Sequence, residues 1–245
     1  MKAKSDLLAT KRQTSVQPRP AQASKRRPTS RLPAAERKAQ ILAKAFEFFS
    51  EYGLTAQTRA LADACGVSQR LLYSVFPSKA ALIDAVYEAN IAGPFKAVWL
   101  VKLRDRSIPL QQRLLSFYQE YYDGVLTRKW LRLFLYASLA EVEMAPAYIS
   151  AVIRTLLETI VDETAADAGI APPKEADMRQ EIGWLLHGNL SHLAIRRHVY
   201  RNSTSVDVGS AIRLHVSAYL AAAPMLFKQY AEDSSRPHRL PAKTP

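Results

Sequence analysis

Cysteine is nearly missing from this chain: Cys65 stands alone among 245 residues. One thiol cannot close an internal disulfide, and such usage suits a reducing compartment. Glycine is scarce too, at 8 residues, and neither a GxGxxG turn nor a Walker phosphate loop is present. His187, His192, His198, His215 and His238 include no pair at the i, i+4 spacing of a helix-borne zinc site, and HExxH and clustered cysteines are missing as well. With no GxSxG elbow, catalysis has little to stand on, and Glu158 with Asp162 reads as a solvated helix face rather than a carboxylate pair. The expectation is a non-enzyme with no cofactor and no metal. No stretch reaches the ~18 continuous apolar residues of a membrane span, and no signal-peptide core precedes the folded part, so a cytoplasmic protein without a membrane partner is expected.

Charge is present in excess, with a formal net of +12. Its placement matters more than its size. Residues 1–33 carry nine Lys or Arg against Asp6 alone, a net +8, whereas residues 34–90 hold six cations and six acids. The arm is rich in Pro, Ser, Gln and Ala and poor in large apolar residues, so it cannot bury enough surface to order itself. Two readings of it stay open: a strand of charge along phosphates or in a minor groove, or a solvated leader.

The stretch Thr58 to Lys79, TRALADACGVSQRLLYSVFPSK, has the layout of a DNA-reading helix-turn-helix. Two short amphipathic segments pivot on Gly66, as the tight crossing of such helices requires. Ala62 is small enough for close approach, while Leu61, Val67, Leu72 and Val75 supply apolar contacts. Thr58, Ser68 and Ser78 stand where caps are wanted, each with a hydroxyl for an orphan backbone N–H. On a helix over Ser68 to Phe76, Leu72, Val75 and Phe76 face inward; Gln69, Arg70, Tyr73 and Ser74 face outward. Gln69 and Arg70 occupy the N-terminal end, where recognition helices meet base edges and where Arg suits guanine and Gln suits adenine. Leu71 either packs inward or touches a thymine methyl.

From about Arg37 to Val86 the chain resembles the N-terminal domain of the tetracycline-repressor (TetR/AcrR) family of dimeric bacterial regulators. The matching features are RKAQILAKAFEFFSEYG, LADACGVS, LLYSVF and FPSKAALIDAVY. The resemblance implies that Tyr73 and Lys79 grip phosphates, that Thr58 and Arg59 face the backbone or groove, and that Gln69, Arg70 and Ser74 face bases, with Ser68 at the helix start. Many family members have Gly-Thr where Arg70 and Leu71 stand, so base preference is not transferable.

The remainder is helical by pattern. Gly93-Pro94 breaks the chain after a fourth helix, and further segments are expected at Gln111 to Val125, Trp130 to Met144, and from Pro146 to a stop at Gly169. Two long helices follow, about Lys174 to Arg201 and Val206 to Tyr230. Their stripes, Ile182, Leu186, Asn189 and Leu193 on one and Ile212, Val216, Tyr219 and Ala223 on the other, are wide for one domain. Together with Ser217-Ala218 and Ala221-Ala222-Ala223 they mark the pair as a homodimer interface, the role the resemblance assigns to the last two long helices. The resemblance also implies an effector pocket among the middle helices, for which Tyr118, Tyr122, Phe134, Met144, Trp184 and His187 are the candidates. Cys65, next to the turn, is expected to be a core filler.

The expected organisation is all-α: a basic arm at 1–33, a three-helix helix-turn-helix domain at 34–90, a larger helical effector-binding and dimerisation domain at 91–231, and a tail at 232–245. The expected function is sequence-specific regulation of transcription, with a double-stranded operator as partner and an apolar or aromatic small molecule releasing it. An architectural protein that coats DNA through the arm is the alternative.

Overall fold

Apolar residues at positions 41, 45, 48 and 49 return to one side of a helix every three or four residues, and in the computed structural model they are buried along α1 (Ala34–Tyr52). The structure describes residues 33–140, 144–202 and 204–233. The basic arm, apart from Pro33, and the tail beyond residue 233 lie outside these residues. All the regular structure described is helical.

Against α1 pack α2 (Thr58–Ala64) and α4 (Lys79–Tyr87), with α3 (Gln69–Val75) on α2. Ser68 and Ser78 cap as expected, accepting from the Leu71 and Ala81 amides at 3.2 and 3.0 Å. Thr58 does not. The chain enters α2 one residue earlier, so Gln57 takes the cap position in extended backbone and Thr58 is already helical. Gly66 adopts φ +69° between α2 and α3, the left-handed region that a side chain would strain. Cys65 is buried with its thiol near the Ile41 carbonyl, and burial pushes its pKa up.

After α4 comes a wide π-helical turn, Glu88–Ala92, then α5 (Ala97–Leu103), which the sequence reading missed. α6 (Leu110–Gly124) and α7 (Arg128–Leu139) follow. The segment expected to run from Trp130 to Met144 stops at Leu139, and a fresh helix, α8 (Met144–Tyr148), opens at Met144. A second π-helical turn, Ile149–Ile153, leads into α9 (Arg154–Ala168). α10 (Ala176–His198) and α11 (Val208–Asp233) end the described chain.

α6, α9, α10 and α11 form the central bundle, and α7 leaves it to lie along α1. α9 and α10 approach so closely at Gly183 that a Cβ there would come within 2.9 Å of the Leu157 Cβ. The Arg113 guanidinium, 4% exposed, donates to Glu163 at 2.8 Å and to the Ile108 carbonyl at 2.9 Å, and Arg106 adds a second bridge to Glu163 at 3.0 Å. That cluster pins the α5–α6 connection to α9.

The apolar stripes expected to form an interface are inside the protomer. Ile182, Leu186, Leu193, Ile212, Val216, Tyr219 and Ala223 are all buried in its core, and of the named set Asn189 alone is exposed. α11 is long and apolar enough by composition to cross a membrane over Val208–Tyr230, and a third of that stretch is buried in this bundle. The apolar residues left outside form a different face. Leu214, Ala218, Ala221, Ala222 and Met225 recur at helical spacing along α11, with Leu214 67% and Met225 72% exposed, and Leu185 is exposed on α10.

Candidate nucleic-acid interface and interior pocket

The residues singled out for DNA are spread over α2, α3 and the start of α4. Gln69, Arg70 and Ser74 are exposed on α3, Arg59 is exposed on α2, and Leu71 is half-buried. Ser74 spends its hydroxyl on the Leu71 carbonyl at 2.7 Å. Tyr73, 41% exposed, reaches back to α2, where its hydroxyl donates to Thr58 Oγ1 at 3.3 Å. Thr58, displaced from its expected cap, thus positions the tyrosine. Lys79 at the start of α4 donates to the Ala56 carbonyl at 2.7 Å, tying down the loop that leads into α2. An ammonium has three donors, so this bond leaves two more.

The local charge is better than its net suggests. Glu47 and Glu51 turn toward α7, where Lys129 and Arg128 pair with them at 3.0 and 2.9 Å. Hydrogen bonds from Lys44 and Lys129 hold the Glu47 carboxyl below its usual range, and one from Arg128 does the same for Glu51. Glu47 and Glu51 are thus committed to cations of α7 rather than to α2 or α3.

α7 is held to α1 by more than charge. Arg132 donates from Nε to the Ser50 carbonyl at 2.6 Å and from its terminal nitrogen to the Glu51 carbonyl at 2.8 Å, two of the acceptors that a helix C-terminus leaves orphaned. Trp130 donates its indole N–H to the Ile91 carbonyl, in the turn after α4, at 3.4 Å.

The other side of α7 lines a pocket of about 120 Å³ walled by α6, α7, α10 and the turn at 149–153. Of the six effector-pocket candidates, Phe134, Trp184 and His187 are among its lining residues. Tyr118 touches it only through His187, with its hydroxyl 3.5 Å from Nδ1. Tyr122 faces elsewhere: its ring lies against His198 at 5.4 Å, and its buried hydroxyl has no partner among the described residues. Met144 opens α8, and its side chain lies outside the description. Missed were Trp130, Tyr121, Tyr148 and Ser191. The i, i+4 pair Trp130 and Phe134 was a usable signal; nothing local announced Tyr148. Burial lowers the His187 pKa to about 4 and raises that of Tyr148 to about 12. The pocket is therefore neutral at pH 7.

A larger cleft of about 370 Å³ lies between α5 and α6, lined by Trp99, Lys102, Gln112 and Arg113 among others. Its cations are already engaged, Lys102 with Glu120 at 3.0 Å and Arg113 with Glu163 at 2.8 Å. None of its lining residues lies on α1, α4 or α7.

Residues 41–86 match the family described as bacterial regulatory proteins, tetR family. No curated protein matches significantly. Among solved structures, a TetR-like transcriptional regulator from Rhodococcus sp. RHA1 is 19% identical, with a TM-score of 0.53 over 84% of this chain and 100% of that one. A tetR-family transcriptional regulator from Streptomyces coelicolor is 16% identical, with a TM-score of 0.55 over 86% of this chain and 94% of that one. At such identities the likeness is one of fold.

Proposed function

We propose that the chain is a DNA-binding transcriptional regulator of the tetR family, a reading supported by the family match over residues 41–86, and that it is a homodimeric repressor released from its operator by a small molecule. Residues 34–90 are the reading part, with Arg70 and Gln69 on base edges and Tyr73 and Lys79 on phosphates. Residues 91–231 sense and dimerise. The protein acts where the chromosome is, in the cytoplasm.

One observation carries the ligand response. α7 has Trp130 and Phe134 in the pocket wall and, on the same helix, Arg132 on the last carbonyls of α1. A molecule that settles between α7 and α10 displaces the helix that holds the reading domain. Such a ligand acts only through its differential affinity for the two arrangements, worth typically ~1–3 kcal/mol of coupling. The exposed face of Leu214, Ala218, Ala221 and Met225 supports the dimer, because small residues let two copies of α11 approach closely. A dimer then presents two recognition helices to two half-sites about one helical turn of DNA, ~34 Å, apart.

The test is selection of bound duplexes from a random pool with the full chain. The expected result is one enriched near-palindrome, bound roughly a thousandfold or more above random DNA at fixed salt. A pool that emerges without any enriched site would overturn the reading in favour of a DNA-coating protein.

A further inference from the structure

The pocket behind α7 is small, aromatic and uncharged, and its polar groups are few: His187 and Ser191 on α10, and the hydroxyls of Tyr121 and Tyr148. Trp130 and Phe134 stack at 4.9 Å between centroids with 11° between planes, and Tyr148 stands edge-on to both at 5.5 and 5.9 Å. This builds a flat-walled slot. Opposite, on α10, His187 and Ser191 lie one turn apart and face the same way. The Tyr118 hydroxyl meets Nδ1 of His187, and no protein group among the described residues takes Nε2 or the Ser191 hydroxyl. Tyr121 and Tyr148 share a single hydrogen bond at 3.3 Å, which leaves one of their two hydroxyl hydrogens without an acceptor in that pair.

Three physical limits bear on what fits. The volume, about 120 Å³, is close to the roughly 150 Å³ of an apolar cavity that takes up benzene. No Lys, Arg, Asp or Glu is among the residues lining it, so a charged ligand would lose its hydration without gaining a counter-ion. His187 and Ser191, one turn apart on α10, offer hydrogen bonds to a single polar atom, and a site built to bond a polar group penalises a ligand that lacks it.

We infer that the pocket takes a neutral, single-ring aromatic molecule bearing one hydrogen-bonding oxygen, its ring between the α7 aromatics and Trp184 and its oxygen on His187 and Ser191. This rests on the reading of the pocket as the effector site. A phenolic hydroxyl suits either tautomer of the histidine, since it both donates and accepts.

The experiment is calorimetric titration of the full-length protein with phenol, toluene and benzoate, on the unaltered chain and on His187→Phe and His187→Gln. In the unaltered protein phenol binds and benzoate does not. His187→Phe keeps the ring-shaped packing and lowers the phenol-to-toluene affinity ratio about tenfold, the worth of one hydrogen bond; His187→Gln restores most of it. Helical circular dichroism confirms that each variant folds. An unchanged ratio in His187→Phe, or benzoate binding as well as phenol, overturns the inference. A second readout, operator affinity at saturating phenol, separates the two claims. If phenol binds through His187 and the operator is held as before, the ligand class stands and the effector reading falls. If phenol fails and a larger or charged molecule releases the operator, the effector reading stands and the ligand class falls.

Discussion

Arg132 donates through Nε to the Ser50 carbonyl oxygen across 2.6 Å, so a side chain of the helix that walls the pocket caps the C-terminal end of α1. The guanidinium also reaches the Glu51 carbonyl at 2.8 Å and the Tyr136 hydroxyl at 2.9 Å. A planar fork makes several such bonds at once, and an ammonium does not. Arg132→Lys should therefore behave nearly as badly as Arg132→Ala. Either variant is expected to cost about 2 kcal/mol of stability, in the range for bonds to a charged group, and to leave the operator bound when the effector is present. Operator titrations with and without effector check this. A variant that responds as strongly as the unaltered protein would remove Arg132 from the route.

The reading surface makes a second, separable set of expectations. Arg70 is exposed at the start of α3, and Arg70→Ala should cost roughly 1–3 kcal/mol on the true operator while relaxing base choice. Tyr73→Phe removes the hydroxyl that meets Thr58 at 3.3 Å and should weaken all duplexes alike. Lys79→Ala should do the same and more, because it also frees the Ala56 carbonyl and the loop into α2. Anisotropy on operator and random duplex at one salt concentration distinguishes these. If Arg70→Ala weakens both duplexes equally, Arg70 is a phosphate contact.

What could be read from the chain follows the range of the forces involved. The Ser68 and Ser78 caps and the Gly66 turn are settled within four residues of sequence, and they stand as expected. Thr58 failed as a cap because the helix start moved one residue, to extended Gln57, a choice no hydroxyl pattern records. Periodicity showed that Ile212, Val216, Tyr219 and Ala223 share a face, but not which partner covers it, and the partner is the protomer's own bundle. Tyr148 enters the pocket at the end of α8, where the helix passes into the π-helical turn Ile149–Ile153, and that turn has no local signature.

Acid should unfold the protein in two stages. Burial lowers the folded pKa of His187 from 6.5 to about 4, so the unfolded chain takes up a proton first. Stability is whole above pH 6.5 and falls as pH drops toward 4, by ~3 kcal/mol in all. Glu163 comes next. Burial works to raise its pKa, but the hydrogen bonds and charges of Arg106 and Arg113 outweigh burial and hold it below 4.5. Its contribution is present above pH 4.5 and is lost as pH falls through the lowered folded value. Denaturant midpoints against pH should show the first stage shrink sharply in His187→Phe, with a smaller remainder from His198 and His215, whose pKa values burial also lowers. Glu163→Ala, which strands the buried Arg113, should cost about 3 kcal/mol at pH 7. A first stage of undiminished size in His187→Phe would assign it to another group.

Leu214 is 67% exposed on α11, in line with Ala218, Ala221 and Met225, and nothing in the protomer's core depends on it. Leu214→Glu should therefore leave helicity and melting of the protomer nearly unchanged. In a two-fold dimer each face meets its own copy, so one substitution acts twice. Burying a leucine is worth ~1.5–3 kcal/mol, and the loss of two, with two like charges brought together instead, should weaken association by at least a hundredfold. Sedimentation then finds a monomer where the unaltered chain gives a dimer. Operator binding should become weak and steeply dependent on protein concentration, because assembly now has to occur on the DNA. Binding to a single half-site should be spared, since α3 is untouched. A Leu214→Glu protein that still sediments as a dimer would move the interface off this face of α11.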